Sequence, residues 1–503
     1  MNTFKIYILS ALLLPLGLLA QVNFDSLDTY FKNGMEVFDQ VGMTVGIVKD
    51  GEMVFSKAYG FADKQAGVAM TTDAIFAVAS VSKAFTAASI GLLVDEGKIK
   101  WDDKVVEHLP AFKLYDPYVT ANMEVRDLLC HRNGYNTFDG DLLWYGTAKN
   151  YDRHEVLRRF QYLAPKHGFR TEYGYQNTMF LAAALLIENV SGMTWEEFIQ
   201  TRIFDKLGMN NSISDVKKIE SAKAKAYPHI KGNKVDYQDY SNAIGAVGVH
   251  TNINDMQHWV NMWLNYGKHG EVEFLKPATV HTILAAHTPE AVRKSAEASG
   301  THFEAAALGW FVKDMFGVKI ANHSGGLPGF ILNVVLVPEK QLGILCFTND
   351  ETILPFAVTN RILESYLTDT PKDWVKSYGA YHNGADARNQ KVIDDRLAEK
   401  NKKKKPGFDL ADAVGVFEDV MYGEAEITLK GKQLHFVMKP TADWFFADME
   451  HWVGNTFRVQ LNDPFLPNGF VTIQLDSHGK IDGFKIDLPN PDFHFYNLDF
   501  KKK

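Results

Sequence analysis

The feature that most constrains the fold of this chain is the tetrapeptide Ser80-Val81-Ser82-Lys83, together with its two flanking segments. An extended segment, residues 74–79, comes before it, and an amphipathic run, residues 83–96, follows and ends at Gly97. This pattern predicts a short strand that leads directly into a helix. A serine and a lysine three residues apart lie on one face of such a helix.

This spacing has a chemical interpretation and a structural one. A serine becomes a nucleophile when a base accepts its proton, and a lysine amine that burial keeps neutral can act as that base. Taken alone, the pattern is a weak signal that is more often explained by a serine that caps a helix and a lysine that lies in solvent.

Two later motifs favour the chemical interpretation. Tyr175-Gln176-Asn177 lies in a turn-like stretch before an apolar helix predicted over residues 179–190, and His323-Ser324-Gly325-Gly326 leads into strand-like runs. In order and spacing, the three motifs resemble the S-x-x-K, Y-x-N and K-T-G or H-x-G signatures of the serine β-lactamase and penicillin-binding-protein superfamily. The segments 125–134, 205–209 and 342–344 are also similar to segments of that family, so the resemblance spans residues 24–367.

The resemblance implies a role for each residue of the first two motifs. Ser80 would attack an acyl carbonyl and form an acyl-enzyme ester, which water or another acceptor resolves. Lys83 or Tyr175 would be the base, and the sequence leaves open which of them. Asn177 would bind the substrate carbonyl and steady Lys83.

The third motif would complete the site. The N–H groups of Ser80 and Gly326 would form an oxyanion hole, while Ser324 and Gly325 would contact the substrate. His323 stands where many relatives carry lysine, and its charge at neutral pH is only partial. This substitution is usual in the similar carboxypeptidases (D-alanyl-D-alanine type B), esterases and D-amino-acid peptidases, and it weakens the case for an efficient class C β-lactamase.

Two other catalytic arrangements are less consistent with the sequence. Ser324 as the nucleophile of a G-x-S-x-G motif would need glycine at the position of Asn322. Asp127 and His131 could enter a Ser-His-Asp triad, but we expect structural roles for them, a helix-terminal bond and a packed imidazole.

Composition excludes several classes of function. The net charge of −8 and the absence of a long basic stripe argue against a nucleic-acid partner. Neither a C-x-x-C pair nor an H-E-x-x-H helix is present, so we expect no metal and no cofactor. The two cysteines, Cys130 and Cys346, suit buried, unpaired thiols.

The first twenty residues are typical of a secretory signal peptide. Lys5 provides the positive charge, residues 6–19 are mostly apolar, and cleavage is predicted after Ala20, with an uncleaved anchor as the alternative. We therefore expect an exported protein, periplasmic or secreted, without a membrane span in the mature chain.

The predicted fold class is α+β. Residues 21–370 would form the β-lactamase-like hydrolase domain, an antiparallel sheet flanked by helices with a large helical insertion. Its predicted elements include a hairpin at Asp50-Gly51, strands at 308–312, 331–337 and 342–347, and a helix at 353–367.

A second domain is expected after a polar, helix-prone linker, residues 371–405, whose Lys402–Lys405 run precedes Pro406-Gly407. Residues 406–503 resemble a small, all-β, lipocalin-like barrel that is appended to some relatives. Its predicted strands are residues 424–430, 433–438, 456–461, 470–476 and 481–487. We expect a structural or substrate-gating role for it.

Together these observations predict an exported serine hydrolase that works through an acyl-enzyme on Ser80, most simply an esterase or a peptidase or amidase of the D-amino-acid type. Its partner would be a small molecule or a short peptide, and the chain could form a homo-oligomer. The alternatives are a β-lactamase and a slowly deacylating penicillin-binding or sensor protein without significant turnover. The actual substrate does not follow from the fold.

Overall fold

The computed structural model of the 503-residue chain describes residues 22–297, 300–400 and 404–503. The predicted signal peptide, with its cleavage after Ala20, lies outside the described residues, as do Lys402 and Lys403 of the lysine run.

A large antiparallel sheet is the centre of the hydrolase domain. In the described residues it has nine strands, in the order Thr288–Glu290, Glu304–Ala306, Phe311–Met315, Val318–Leu327, Phe330–Val337, Leu342–Thr348, Gly42–Lys49, Glu52–Asp63 and Val68–Ala69. The sheet therefore joins strands from both ends of the domain, and the α+β fold class is confirmed.

The middle of the sheet follows from local sequence signals. Asp50 and Gly51 both have positive φ angles, 53° and 88°, which is the geometry of a tight hairpin turn, and they connect Gly42–Lys49 to Glu52–Asp63 as predicted. The strand Leu342–Thr348 is entirely buried, because helices cover both faces of the sheet there. Its Cys346 and the distant Cys130 are both buried, free thiols, as expected.

Helices pack on both faces of the sheet. One face is covered by Phe24–Val37, Leu354–Leu367 and the start of Trp374–Glu399. The other face carries the helical insertion, whose main helices are Ser82–Asp95, Arg153–Phe160, Thr178–Ser191, Ile253–Leu264 and Pro277–Ile283. Across the described ranges, no single helix combines the length and apolar character that crossing a bilayer needs; Thr178–Ser191 and Trp195–Leu207 meet that test only as a pair, bent by 77°.

The helix that follows Ser80 differs from the prediction in one respect. The amphipathic pattern over residues 83–96 predicts one solvent-exposed face, but in the helix Ser82–Asp95 every residue from Ser82 to Leu93 is buried. Its polar side chains form hydrogen bonds inside the protein: the Thr86 hydroxyl donates to the carbonyl of Gly245, and the Ser89 hydroxyl donates to the carbonyl of Phe85. The helix is therefore a central element of the core.

The C-terminal region is a closed barrel of eight described strands, which agrees with the lipocalin-like prediction. They are Gly415–Asp419, Gly423–Lys430, Gln433–Met438, Phe446–Val453, Thr456–Val459, Gly469–Leu475, Ile481–Asp487 and Phe500–Lys502. The first, fourth and last of these are not in the predicted set. Phe446–Val453 is harder to detect because a register shift between His451 and Val453 interrupts its alternation.

The barrel is joined to the hydrolase domain by buried polar bonds. Tyr145 Oη donates to Asp463 Oδ2 at 2.9 Å, and Tyr151 Oη donates to the carbonyl of Tyr422 at 2.6 Å. His494 Nδ1 lies 2.8 Å from Oδ1 of the fully buried Asp139. A single hydrophobic core, continuous through both units, accompanies these bonds.

Candidate active site

Ser80 lies in a short 3-10 turn, Ala79–Val81, directly before the helix Ser82–Asp95. Its neighbour Ala79 has a φ of +47°, a left-handed conformation that costs a non-glycine residue roughly 1–2 kcal/mol. The strand Val318–Leu327 lies against this turn. A Cβ on its Gly325 would be 2.4 Å from the carbonyl oxygen of Val78, so only glycine allows this approach.

Lys83 is the direct partner of Ser80. Its Nζ donates to Ser80 Oγ at 3.0 Å and to the carbonyl of Ala246 at 3.3 Å. The side chain is fully buried, and burial lowers the pKa of Lys83 from 10.5 to about 7, although the charge of Asp141 partly opposes the change. A large fraction of the amine is therefore neutral near pH 7, as a base for Ser80 requires.

Tyr175 lies beside both Ser80 and Lys83. Lys83 Nζ is 4.8 Å from the centre of its ring, and the His131 imidazole stacks on the ring at 4.3 Å. Burial raises the pKa of Tyr175 well above its usual value, and a hydrogen bond with the Ser80 hydroxyl only partly opposes this. The side chain is therefore a neutral phenol at physiological pH.

Asn177 is connected to an acidic residue that the sequence analysis missed. Its Nδ2 donates to Asp141 Oδ2 at 2.6 Å, while Trp144 Nε1 donates to Asp141 Oδ1 at 2.9 Å. Asn177 Oδ1 is buried without a hydrogen-bond partner among the described residues. With its donor group held by Asp141, Asn177 presents an acceptor, whereas the sequence analysis expected its amide to bind a substrate carbonyl and to contact Lys83.

Asp141 is itself unusual. It is almost fully buried, and burial raises its pKa to about 7, against the effect of its hydrogen bonds with Trp144 and Asn177 and of the Lys83 charge. The one available sequence signal was a carboxylate followed by an apolar, aromatic run, residues 142–145.

His323 has a defined tautomer in this site. Its Nδ1 lies 2.6 Å from the carbonyl oxygen of Ser324, so Nδ1 carries the proton and Nε2 is an acceptor. Burial, with a contribution from Lys83, lowers the pKa of His323 to about 3. The imidazole is neutral at physiological pH, so it cannot present a positive charge to a substrate carboxylate.

Six of the eight predicted site residues face a common cavity of about 650 Å³. Ser80, Tyr175, Asn177, His323, Ser324 and Gly326 line this cavity, whereas Lys83 lies behind Ser80 and Gly325 lies beneath it, against Val78. A second cavity of about 670 Å³ shares Tyr173, Glu290 and Arg293 with the first. The cleft is therefore long enough for a substrate larger than a simple ester.

The barrel contributes directly to this cavity. Phe465, Asp492 and Phe493 line it together with Trp144 and Tyr145 of the hydrolase domain, and the Phe493 ring stacks on Tyr145 at 4.0 Å. The sequence analysis did not identify any of these five residues. These residues lie in no recognisable sequence motif, because they become part of the site only through the contact between the two domains.

Two other groups of polar side chains do not line this cavity: the triad candidates Asp127 and His131, and a cluster of Asp103, Glu107 and His108. Asp127 is fully buried; it accepts the backbone N–H of Glu124 and a 2.6 Å bond from Arg132, which is a structural arrangement. Asp103, Glu107 and His108 place possible metal-binding atoms within 4.8 Å of one another, but Asp103 already pairs with His108 at 2.9 Å.

The fold and the arrangement of Ser80, Lys83 and Tyr175 are those of the class that contains β-lactamases and penicillin-binding proteins. The beta-lactamase family model matches residues 27–367, and a domain of unknown function, DUF3471, matches residues 399–502. The chain belongs to the beta-lactamase family.

Named relatives agree with this assignment. An unguisins hydrolase of Aspergillus campestris is 28% identical over 360 residues, which are 67% of this chain and 65% of that protein. Penicillin-binding protein 4* of Bacillus subtilis is 31% identical over 185 residues, 34% of this chain and 38% of that protein. The chain thus spans just under two thirds of the length of the first relative.

A solved structure has the same overall fold. The octameric penicillin-binding protein homologue from Pyrococcus abyssi aligns with a TM-score of 0.61 and 19% identity, over 95% of this chain and 100% of that one. The family is one of serine hydrolases, and the fold is that of penicillin-binding proteins.

Proposed function

We propose that this protein is an exported serine hydrolase that forms an acyl-enzyme on Ser80 and acts on a small ester or on a short peptide of the D-amino-acid type. The observation that supports it best is the 3.0 Å bond between Lys83 Nζ and Ser80 Oγ, in a site that lowers the pKa of the amine to about 7. Export rests on the signal-like first twenty residues.

The proposed reaction has two stages. Neutral Lys83 accepts the Ser80 proton as Oγ attacks the acyl carbonyl, and the N–H groups of Ser80 and Gly326 stabilise the oxyanion. Tyr175, as a neutral phenol beside Ser80, protonates the leaving group. The Lys83 ammonium returns its proton to the Tyr175 phenolate, which restores both groups. Water then attacks the ester while Lys83 accepts the water proton, and Lys83 passes that proton to Ser80 Oγ as the ester bond breaks, so Ser80 is regenerated.

The substrate class is supported by shape and by charge. The two adjoining cavities, of about 650 and 670 Å³, provide room for a short peptide. Neutral His323 provides no cation for the carboxylate of a β-lactam, so efficient β-lactamase activity is disfavoured. A homo-oligomer remains part of the proposal, to be tested by light scattering.

The test uses p-nitrophenyl acetate, with nitrophenol release and intact-protein mass as the two readouts. Wild type should release nitrophenol continuously or gain one acetyl group on the Ser80 peptide. Ser80→Ala should lose at least about 10⁴-fold in rate with an unchanged melting temperature. Ser324→Ala is the matched control, since it removes the other serine hydroxyl of the cavity and should still allow acylation of Ser80.

Each other result has a distinct meaning. Equal rates for wild type and Ser80→Ala would refute Ser80 as the nucleophile. An acetyl adduct that persists after excess ester is removed would support the slowly deacylating sensor. Turnover of a penicillin faster than of D-amino-acid peptides would favour the β-lactamase.

A further inference from the structure

The end of the Ser80 cavity that faces the barrel contains two acidic side chains from different domains. Glu351 follows the central strand Leu342–Thr348, and its Oε1 accepts the N–H of Gly329 at 2.9 Å. Asp492 belongs to the barrel and precedes Phe493, whose ring stacks on Tyr145. Both carboxyl groups line the cavity.

These two groups repel each other, whereas the cation that lines the cavity, Arg293, lies beside Glu290 at the end shared with the second cavity. Burial raises the pKa of Glu351 to about 7, and the charges of Asp350, Asp492 and Asp463 add to the effect. His494, whose charge acts to lower the pKa of Asp492, is itself bonded to Asp139.

Two other side chains that line the same cavity, Asn177 and His323, each present an acceptor atom. Asn177 Oδ1 and His323 Nε2 are buried and have no hydrogen-bond partner among the described residues, and both side chains are more than nine-tenths buried. Asn177 Nδ2 is occupied by Asp141, and His323 Nδ1 by the Ser324 carbonyl. Buried acceptors without partners are costly, so a ligand that brings N–H donors would satisfy them.

We propose that the barrel-facing end of the cavity binds a protonated amine of the substrate, between Glu351 of the hydrolase domain and Asp492 of the barrel. This inference rests on the proposed function and narrows its substrate class to peptides, amides or esters that carry a free ammonium group and an apolar side chain. The rings of Phe465, Phe493 and Trp144 provide an aromatic surface that can contact both the ammonium group and the apolar side chain of the substrate. A carboxylate at this end would be repelled.

The proposal assigns a function to the barrel as a specificity element. It contacts the hydrolase domain through the buried bond from Tyr145 to Asp463 and the bond between His494 and Asp139. Asp492 and Phe493 are thereby held in the cavity wall, where they can select a substrate without taking part in the chemistry of Ser80.

The experiment measures binding without relying on turnover. Isothermal titration calorimetry at pH 7.5 compares 2-phenylethylamine with 3-phenylpropanoate, which share an aromatic ring and differ in the sign of charge. We expect the amine to bind the full-length protein at least about tenfold more tightly, and Asp492→Asn and Glu351→Gln each to reduce this preference severalfold. Asp482→Asn, which removes an exposed barrel carboxylate that pairs with Lys501, should leave the preference unchanged.

The outcomes separate this inference from the proposed function. The amine site would be overturned by equal binding of the two probes, by tighter binding of the carboxylate, or by no binding of either probe. It would also be overturned by an amine preference that survives both substitutions, even if Ser80 is shown to be acylated. Failure of acylation together with a preference that depends on Asp492 would overturn the proposed hydrolase instead. Circular dichroism shows whether Asp492→Asn or Glu351→Gln fails to fold. In that case, the amine preference of the other, folded variant tests the site.

Discussion

The pH dependence of catalysis is the most direct consequence of the buried lysine. Burial lowers the pKa of Lys83 from 10.5 to about 7. This lower pKa means that burial destabilises the Lys83 ammonium, relative to the neutral amine, by roughly 5 kcal/mol. At pH 7 the neutral fraction of the amine thereby rises from roughly 1 in 3,000 to roughly one half. Because only the neutral amine can accept the Ser80 proton, activity should increase with pH and level off above about 7.

The assay is kcat/KM for p-nitrophenyl acetate from pH 5 to pH 10, corrected for spontaneous hydrolysis. This parameter reports the pKa values of the free enzyme. Below the midpoint it should fall about tenfold per pH unit, and Lys83→Arg, which keeps a permanent charge, should lose at least about 10³-fold at every pH. A midpoint above pH 9, or a Lys83→Arg variant within tenfold of wild type, would refute the assignment of Lys83 as the base.

Two further predictions concern the packing that holds the site. Gly325→Ala would place a Cβ 2.4 Å from the Val78 carbonyl and displace the turn of Ser80, so kcat/KM should fall at least about 100-fold. Gly407→Ala, whose Cβ would meet nothing closer than 3.5 Å, should not change kcat/KM. Tyr145→Phe removes the donor to buried Asp463 and should lower the free energy of unfolding by about 1–3 kcal/mol, measured by urea denaturation. An equal loss in the exposed control Tyr496→Phe would contradict this explanation.

Local elements were predicted well because their signals are local. The turn at Asp50-Gly51 needs only positive φ angles at two adjacent residues, and the strands Gln433–Met438 and Ile481–Asp487 begin and end as their alternation predicts. The three-residue strand Phe500–Lys502 and the interrupted strand Phe446–Val453 were missed, because each depends on its neighbours to form a ladder.

The helix after Ser80 shows where local patterns fail. Its polar residues suggested an exposed face, but Thr86 and Ser89 find acceptors inside the protein, on a distant carbonyl and on their own helix. Asp141 was missed for a related reason. Nothing in its neighbourhood in the sequence indicates that it binds Asn177, 36 residues away.

The sequence by itself determined the parts of the site that lie within one turn of helix. Ser80 and Lys83 meet at 3.0 Å because a spacing of three residues places them on the same face. The order of the three motifs identified the family. The tertiary structure decided the chemistry around them: Lys83 has a pKa of about 7 because distant elements exclude water from it. It also placed the barrel in the cavity wall, through contacts such as that of Tyr145 with Asp463, 318 residues apart in the chain. Desolvation and contacts between domains depend on every element that packs around a residue, and no short stretch of sequence contains that information.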